Sequence, residues 1–264
     1  MNRYGLIGGD TKASLSPKIH EIISLESGIK YSYDLISINK FGFSDIKEML
    51  KKENLSGINI TNPYKTRITG YIDVKNGLLK NINSANCIRA ENNGMISGTN
   101  TDGPGFMGML YNNKIDVDKD FAILGSGGAA ISIAYTLAKN HVSSLSIICR
   151  NYDKGKHIKF LINRDFPDVD IYVNNSPKYN NMIIVNCTPV VPIPSSLTGS
   201  ISSEKISAII DINYSMRSNY PGVKSIDGID MLIYQAIFSV NYWFRTTIDR
   251  DIDIRRIKNH INNA

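Results

Sequence analysis

The run 121-FAILGSGGAA-130 joins a short apolar stretch to a glycine-rich turn and then to small, helix-compatible residues. Gly125, Gly127 and Ala130 hold the G-x-G-x-x-A spacing of a dinucleotide phosphate loop, placed directly after a strand and at a helix entrance. Gly125 would permit the tight turn, Gly127 would let backbone approach a pyrophosphate, and the small Ala130 would let helix and strand pack closely. Free N–H groups at the helix start would face the anion. A glycine-rich turn with no ligand is the bland alternative. The next strand ends in 147-IICRNYDK-154, where an NAD-binding fold usually carries an acid for the ribose 2′-hydroxyl. Here Arg150 stands in that place, with Lys154 beyond it. A guanidinium can bond a 2′-phosphate at two points, so NADP is favoured over NAD, the alternative being an arginine merely exposed in a loop.

Outward from this loop the chain alternates strand and helix patterns. Downstream come a helix over 128–140, a strand over 144–150, a helix over 154–165 and the runs VDIYVN, MIIVNC and ISAIIDI, the last two nearly unbroken apolar segments of the kind that parallel strands show when both faces are covered. Upstream, residues 3–8 and 31–38 read as strands, 43–52 as helix, 55–61 as strand and 73–80 as helix. Ser16-Pro17 starts a helix with Ile19, Ile22 and Ile23 on one face. Two short strands follow about the Asn-Asn-Gly turn of 85–100. From Gly228 on, Met231, Leu232, Ala236, Ile237 and Val240 recur at helical spacing, and a last helix spans about 251–262. The expected fold is a two-domain α/β protein, with a substrate domain over 1–101 and 237–264 and a doubly wound Rossmann dinucleotide-binding domain over 102–236. The C-terminal helices have no strands of their own and should return to the first domain.

Composition narrows the function classes. The chain has 264 residues, 42% hydrophobic and 20% charged, within the range of folded globular proteins. A net charge of +6 could signal nucleic acid, but Lys and Arg are dispersed rather than gathered with aromatics, so a nucleic-acid partner is not expected. A mild positive field suits a small anionic ligand. No apolar run reaches the roughly 18 residues of a membrane span, and the N-terminus lacks the apolar core of a secretory signal, which makes the cytoplasm the expected location. Cys87, Cys149 and Cys187 form no CxxC pair, and His20, His141, His157 and His260 show no ligand spacing, so no metal is expected. Oligomeric state, a homodimer included, is left open.

Polar residues gather at element ends in the first half, where loops on a rigid scaffold usually hold chemistry. Quoted in order with later segments, these are 14-SLSP-17, 59-NITNPYK-65, 85-ANC-87, 100-NTDGPG-105, 125-GSGGA-129, 149-CRN-151, 186-NCTP-189, 211-DINY-214 and 231-MLIYQ-235. Together, in this order and across nearly the whole chain, they resemble the shikimate dehydrogenases. The resemblance implies reversible reduction of 3-dehydroshikimate to shikimate with NADP, a step toward aromatic amino acids. It implies that Ser14 and Ser16 hold the substrate carboxylate and that Thr61, Asn86, Tyr214 and Gln235 hold the ring and its hydroxyls. Lys65 and Asp102 would be the catalytic pair, both also touching substrate. Gly125, Ser126, Gly127, Gly128, Ala129, Cys149, Arg150, Asn151 and Lys154 would hold NADP, with Ile212 and Gly228 lining the nicotinamide end.

Elementary chemistry points the same way. Hydride addition to a ketone leaves negative charge on oxygen, so a proton donor must be aimed at that oxygen. Confinement favours a neutral lysine amine, whereas a carboxylate such as Asp102 favours the ammonium and fixes its direction. Pro63 at a helix entrance would keep Lys65 in place. Each residue has a structural alternative: Asp102 and Ser16 are favoured helix caps, Asn86 a turn residue, Tyr214 and Gln235 core. The sequence departs from the family at Ala13, often histidine there, and at Cys87, usually threonine. Cys149 and Asn151 replace Asn and Thr or Ser, and 214-YSMRSNY-220 lacks the usual proline and threonine. A quinate or dual-specificity dehydrogenase of the same superfamily and a nucleotide-sensing regulatory protein are the rival readings.

Overall fold

The computed structural model describes residues 1–36, 46–175, 181–193, 205–214, 221–249 and 252–262. The chain divides into two compact units, Met1–Gly105 with Leu232–Ala264, and Phe106–Met231.

In the first unit, β1 (Asn2–Ile7) pairs in parallel with β2 (Tyr31–Ile36) and with β3 (Gly57–Ile60). β3 also pairs antiparallel with β5 (Cys87–Ala90), which forms the expected hairpin with β6 (Ile96–Thr99), and β4 (Val74–Lys75) lies parallel to β6. Strand order is β2-β1-β3-β5-β6-β4. β3 is buried at all four residues, as a strand between neighbours with both faces covered should be. Its Ile58 and Ile60 pack with Ile7, Leu55, Ile68, Leu79 and Ile88 in one apolar core. Helix α1 (Ser16–Ser27) begins with proline in its first turn and ends at Gly28, whose φ of 70° is a left-handed stop suited to glycine. Helix α2 (Ile46–Lys52) falls within the expected 43–52, of which 43–45 lie outside the described residues, as do 37–38 of the expected second strand.

Two expectations in this unit need correction. Residues 73–80 do not form an α-helix: Val74 and Lys75 pair with Ser97 and Gly98 as an edge strand, and only Gly77–Lys80 turn as a short 3-10 helix. The Asn76-Gly77 pair decides this, because Gly77 takes φ of 52°, a turn conformation that breaks helical continuity. Nor does a helix start at Pro63. The Asn62–Pro63 peptide is cis, the chain turns, and a 3-10 segment follows at Arg67–Tyr71.

In the second unit, β7 (Asp120–Leu124), β8 (Ser144–Ile148), β9 (Asp170–Val173), β10 (Met182–Asn186), β11 (Ile206–Asp211) and β12 (Lys224–Ile226) form one all-parallel sheet in the order β12-β11-β10-β7-β8-β9. This is the doubly wound Rossmann order, with its topological switch between β7 and β10. β12 is the one described strand here that the apolar pattern did not announce. Helix α3 (Asp102–Asn112) leads out of the first unit, and α4 (Gly128–Lys139) and α5 (Tyr152–Asp165) follow β7 and β8. Helix α6 (Ile229–Phe244) carries the chain back, and it and α7 (Ile254–Asn262) complete the first unit as expected. Trp243 anchors that return, donating its ring N–H to the Ile88 carbonyl at 2.9 Å and stacking on Tyr4 at 4.2 Å between ring centres. Among the described residues no helix is long and apolar enough to cross a membrane.

Candidate active site

β3 delivers its chemistry at its C-terminal end. Thr61 N–H extends the ladder by donating to the Ile7 carbonyl at 2.8 Å, and Tyr64 N–H then donates back to the Thr61 carbonyl at 3.0 Å, closing a turn that turns the chain toward Lys65. The Lys65 carbonyl is fixed by Ala85 N–H at 2.8 Å, so the segment 85-ANC-87, rather than a helix start at Pro63, holds this lysine's backbone. Its Nζ donates to Asp102 Oδ2 at 2.7 Å, with side-chain exposures of 17% and 5%. The amine is therefore reachable while the acid is sunk.

Asp102 is the first residue of α3, where a carboxylate is favoured by the helix dipole. It is not the cap. That task falls to Asn100, whose Oδ1 accepts from the N–H groups of Asp102 at 3.1 Å and Gly103 at 3.4 Å, and whose amide donates to the Ser84 carbonyl at 2.9 Å. The Asp102 carboxylate is thereby left for side chains: Oδ2 takes Lys65 and Oδ1 takes Asn86 Nδ2 at 2.9 Å.

Asn86 is the hub. Its Nδ2 also donates to Thr101 Oγ1 at 2.9 Å and to Gln235 Oε1 at 3.3 Å, and its Oδ1 accepts from Thr101 N–H at 2.7 Å. Gln235 is turned by its own Nε2, which donates to the Leu232 carbonyl at 2.9 Å. The expected residues Lys65, Asp102, Asn86 and Gln235 thus meet, although they come from four separate segments. Ser14 and Ser16 form their own pair, Ser14 Oγ donating to Ser16 Oγ at 3.1 Å and accepting from Ser16 N–H at 3.2 Å. Tyr214 belongs to the other unit, half-buried after β11, and residues 215–220 of its segment lie outside the described ones.

Sequence reading assigned no role to Asn59, Thr101 or Ser239, yet all three join this network. Asn59 Nδ2 donates to Ser239 Oγ at 2.9 Å and to the Asn86 carbonyl at 3.0 Å, its Oδ1 accepts from the Tyr33 hydroxyl at 3.0 Å, and Ser239 Oγ lies 3.3 Å from Thr101 Oγ1. The available signals were a lone amide inside the buried strand GINI and a serine one helical turn after Gln235. Burial pushes the His20 imidazole, stacked on Tyr33 at 3.9 Å, down to about 3, and burial raises the Cys87 thiol.

In the second unit the glycine-rich turn has the form that a dinucleotide loop requires. Gly125 takes φ of 111°, a region that side chains resist, and its N–H donates to the Ile148 carbonyl at 2.8 Å. Gly127 precedes α4 with no side-chain cap, and a Cβ there would enter open space, which leaves room for a ligand's approach to the backbone beside Ser126, Gly128 and Ala129. At the end of β8, Arg150 and Lys154 are exposed, whereas the Cys149 thiol is buried and donates to the Asn151 carbonyl at 3.2 Å. Asn151 caps α5, accepting Lys154 N–H at 3.0 Å. A Cβ on Gly228 would lie 2.1 Å from the Ile212 carbonyl oxygen, so these two backbones touch. Uncapped helix start, open glycine and exposed cations together fit a phosphorylated dinucleotide.

Known proteins carry the same organisation. The family model of the shikimate dehydrogenase substrate binding domain matches residues 6–88. The chain is 30% identical over 271 residues to shikimate dehydrogenase (NADP(+)) of Caldanaerobacter subterraneus subsp. tengcongensis, covering 97% of this chain and 96% of that protein. The crystal structure of shikimate dehydrogenase 1 from Peptoclostridium difficile matches with a TM-score of 0.79 at 29% identity, covering 99% of this chain and 98% of that one. A shikimate dehydrogenase crystallised in complex with NADP+ matches with a TM-score of 0.83 at 25% identity, covering 100% and 95%.

Proposed function

The chain belongs to the shikimate dehydrogenase family, and from that membership and its site we propose that it catalyses the reversible NADP-dependent oxidation of shikimate to 3-dehydroshikimate. The observation that carries the reading is the Lys65–Asp102 pair at 2.7 Å, with Asn86 on the second carboxylate oxygen. A nucleotide sensor has no use for a proton exchanger of this kind.

The first unit is read as substrate-binding and the second as dinucleotide-binding. Ser14 and Ser16 offer hydroxyls to the substrate carboxylate, and the hydroxyls of Thr61 and Tyr214 with the carboxamides of Asn86 and Gln235 hold its ring hydroxyls. Gly125 to Ala129 hold the pyrophosphate and Arg150 with Lys154 the 2′-phosphate, Cys149 and Asn151 shape that loop, and Ile212 and Gly228 border the nicotinamide. When bound, NADP supplies the hydride acceptor. Neutral Lys65 removes the hydroxyl proton as the carbinol carbon gives up its hydride, and Asp102 stabilises the ammonium that forms. Asn86 keeps Asp102 from rotating away, so the amine stays aimed. In the reverse direction the Lys65 ammonium gives its proton to the ketone oxygen as negative charge develops there. After an oxidative turnover the partly exposed Lys65 releases its proton to solvent, which restores the neutral amine for the next. We place this reaction in the cytoplasm, on the route to aromatic amino acids.

A spectrophotometric assay of nicotinamide reduction tests the proposal directly, pairing shikimate and separately quinate with NADP+ and NAD+. Turnover of shikimate with NADP+ above the other three pairs is expected. Binding of NADP+ without turnover of either acid would overturn the proposal in favour of a sensor.

A further inference from the structure

The end of β8 is held by a side chain. β8 and β9 pair regularly from Ser144 opposite Asp170 to Ile147 opposite Val173, and Asn174 N–H adds a last backbone bond to the Ile147 carbonyl at 2.9 Å. There Asn174 takes φ of 49° and the chain turns away from the ladder. Its side-chain amide then does the work of the missing peptide: Oδ1 accepts Cys149 N–H at 2.8 Å and Nδ2 donates to the Cys149 carbonyl at 2.9 Å. A carboxamide presents the same donor and acceptor as a peptide unit, so pairing continues for one residue beyond the strand. On the opposite edge Gly125 N–H holds the Ile148 carbonyl, and Asn151 is fixed as the cap of α5. Both neighbours of Arg150 are therefore clamped, and the direction in which Arg150 leaves the chain is set by them.

We infer that Asn174 is a positioning residue for Arg150, and through it for preference of a 2′-phosphorylated dinucleotide over an unphosphorylated one. The inference rests on Arg150 as the 2′-phosphate partner in the proposed function. Asparagine suits the place on two counts. It tolerates the left-handed backbone better than most residues, and it alone among those that do so carries both halves of an amide. Asn174 acts through the Cys149 peptide and needs no contact with the cofactor.

Glycine accepts the same φ, so Asn174→Gly removes both bonds without backbone strain. Dissociation constants for NADP+ and NAD+, measured by calorimetry without turnover, report the effect, with Arg150→Ala as reference. Asn174→Gly should weaken NADP+ about tenfold and NAD+ less than about twofold, the loss expected for two hydrogen bonds that serve only the phosphate contact. Asn174→Asp, which keeps the acceptor but sets a carboxylate against the Cys149 carbonyl, should lower the same ratio at least as far and serves if the glycine variant does not fold. Equal weakening of both dinucleotides, or an unchanged ratio where Arg150→Ala collapses it, would overturn the inference. An unchanged ratio in Arg150→Ala itself would overturn both the inference and the reading beneath it.

Discussion

Around Lys65 the proposed catalytic groups are side chains drawn from distant segments, whereas at the turn from β7 to α4 the proposed phosphate ligands are backbone groups from consecutive residues. Lys65, Asn86, Asp102 and Gln235 are joined by a branched hydrogen-bond network in which each residue fixes the next. The Gly125–Ala129 turn depends instead on what is missing, a Cβ at Gly125 and at Gly127. A side-chain network gives chemistry that single substitutions can abolish. A backbone cradle gives binding that fails chiefly when something is added.

The largest effect should come from the network. Lys65→Ala and Asp102→Ala should each lower turnover by about 10²–10⁴-fold, the range for a positioned acid–base group. Because the two act as a unit, the double variant should fall little further than the worse single one, and steady-state kinetics on all three would expose independent roles if the losses multiplied. The backbone cradle should respond differently. Gly125→Ala, forced to φ of 111°, should lose about 1–3 kcal/mol of stability, whereas Gly127→Ala faces open space and should keep its thermal midpoint while weakening NADP+. If Gly127→Ala unfolds as readily as Gly125→Ala, the two glycines are not distinguished in this way.

How much of this could be read beforehand follows the same division. The cradle is local, so its spacing, flanking strand and helix start were visible in ten consecutive letters, and the parallel sheet followed from unbroken apolar runs. The network is not local. Lys65, Asn86 and Asp102 were visible as polar letters at element ends, and the resemblance to a family named these and Gln235, but nothing in the letters said that Asn100 would cap α3 and so release Asp102 to Lys65. Asn59 and Ser239 were missed because a buried amide in a strand and a serine in a helix look like ordinary core exceptions until a third dimension joins them. The 73–80 segment departs from the expected helix because the turn signal Asn76-Gly77 sits in its middle, with Gly77 at φ of 52°.

A smaller effect sharpens the picture beneath the network. Burial depresses His20 from 6.5 to about 3, so between those values the unfolded chain binds a proton that the folded chain does not. Its contribution is fully present above pH 6.5 and is lost as pH falls toward 3, with a slope of about 1.4 kcal/mol per pH unit for one proton. His20→Phe keeps a ring against Tyr33 and removes the titration. Urea unfolding at a series of pH values should therefore show a shallower acid decline for the variant; identical slopes would mean that His20 is protonated when folded.

The most direct test is stopped-flow measurement of NADPH formation in a single turnover, with enzyme and NADP+ in excess over shikimate, for the wild type and Lys65→Ala. A slow hydride step in the variant, with shikimate still bound, is the predicted result. A wild-type rate of NADPH formation would contradict it, because an enzyme that runs at full speed without this amine takes the hydroxyl proton elsewhere.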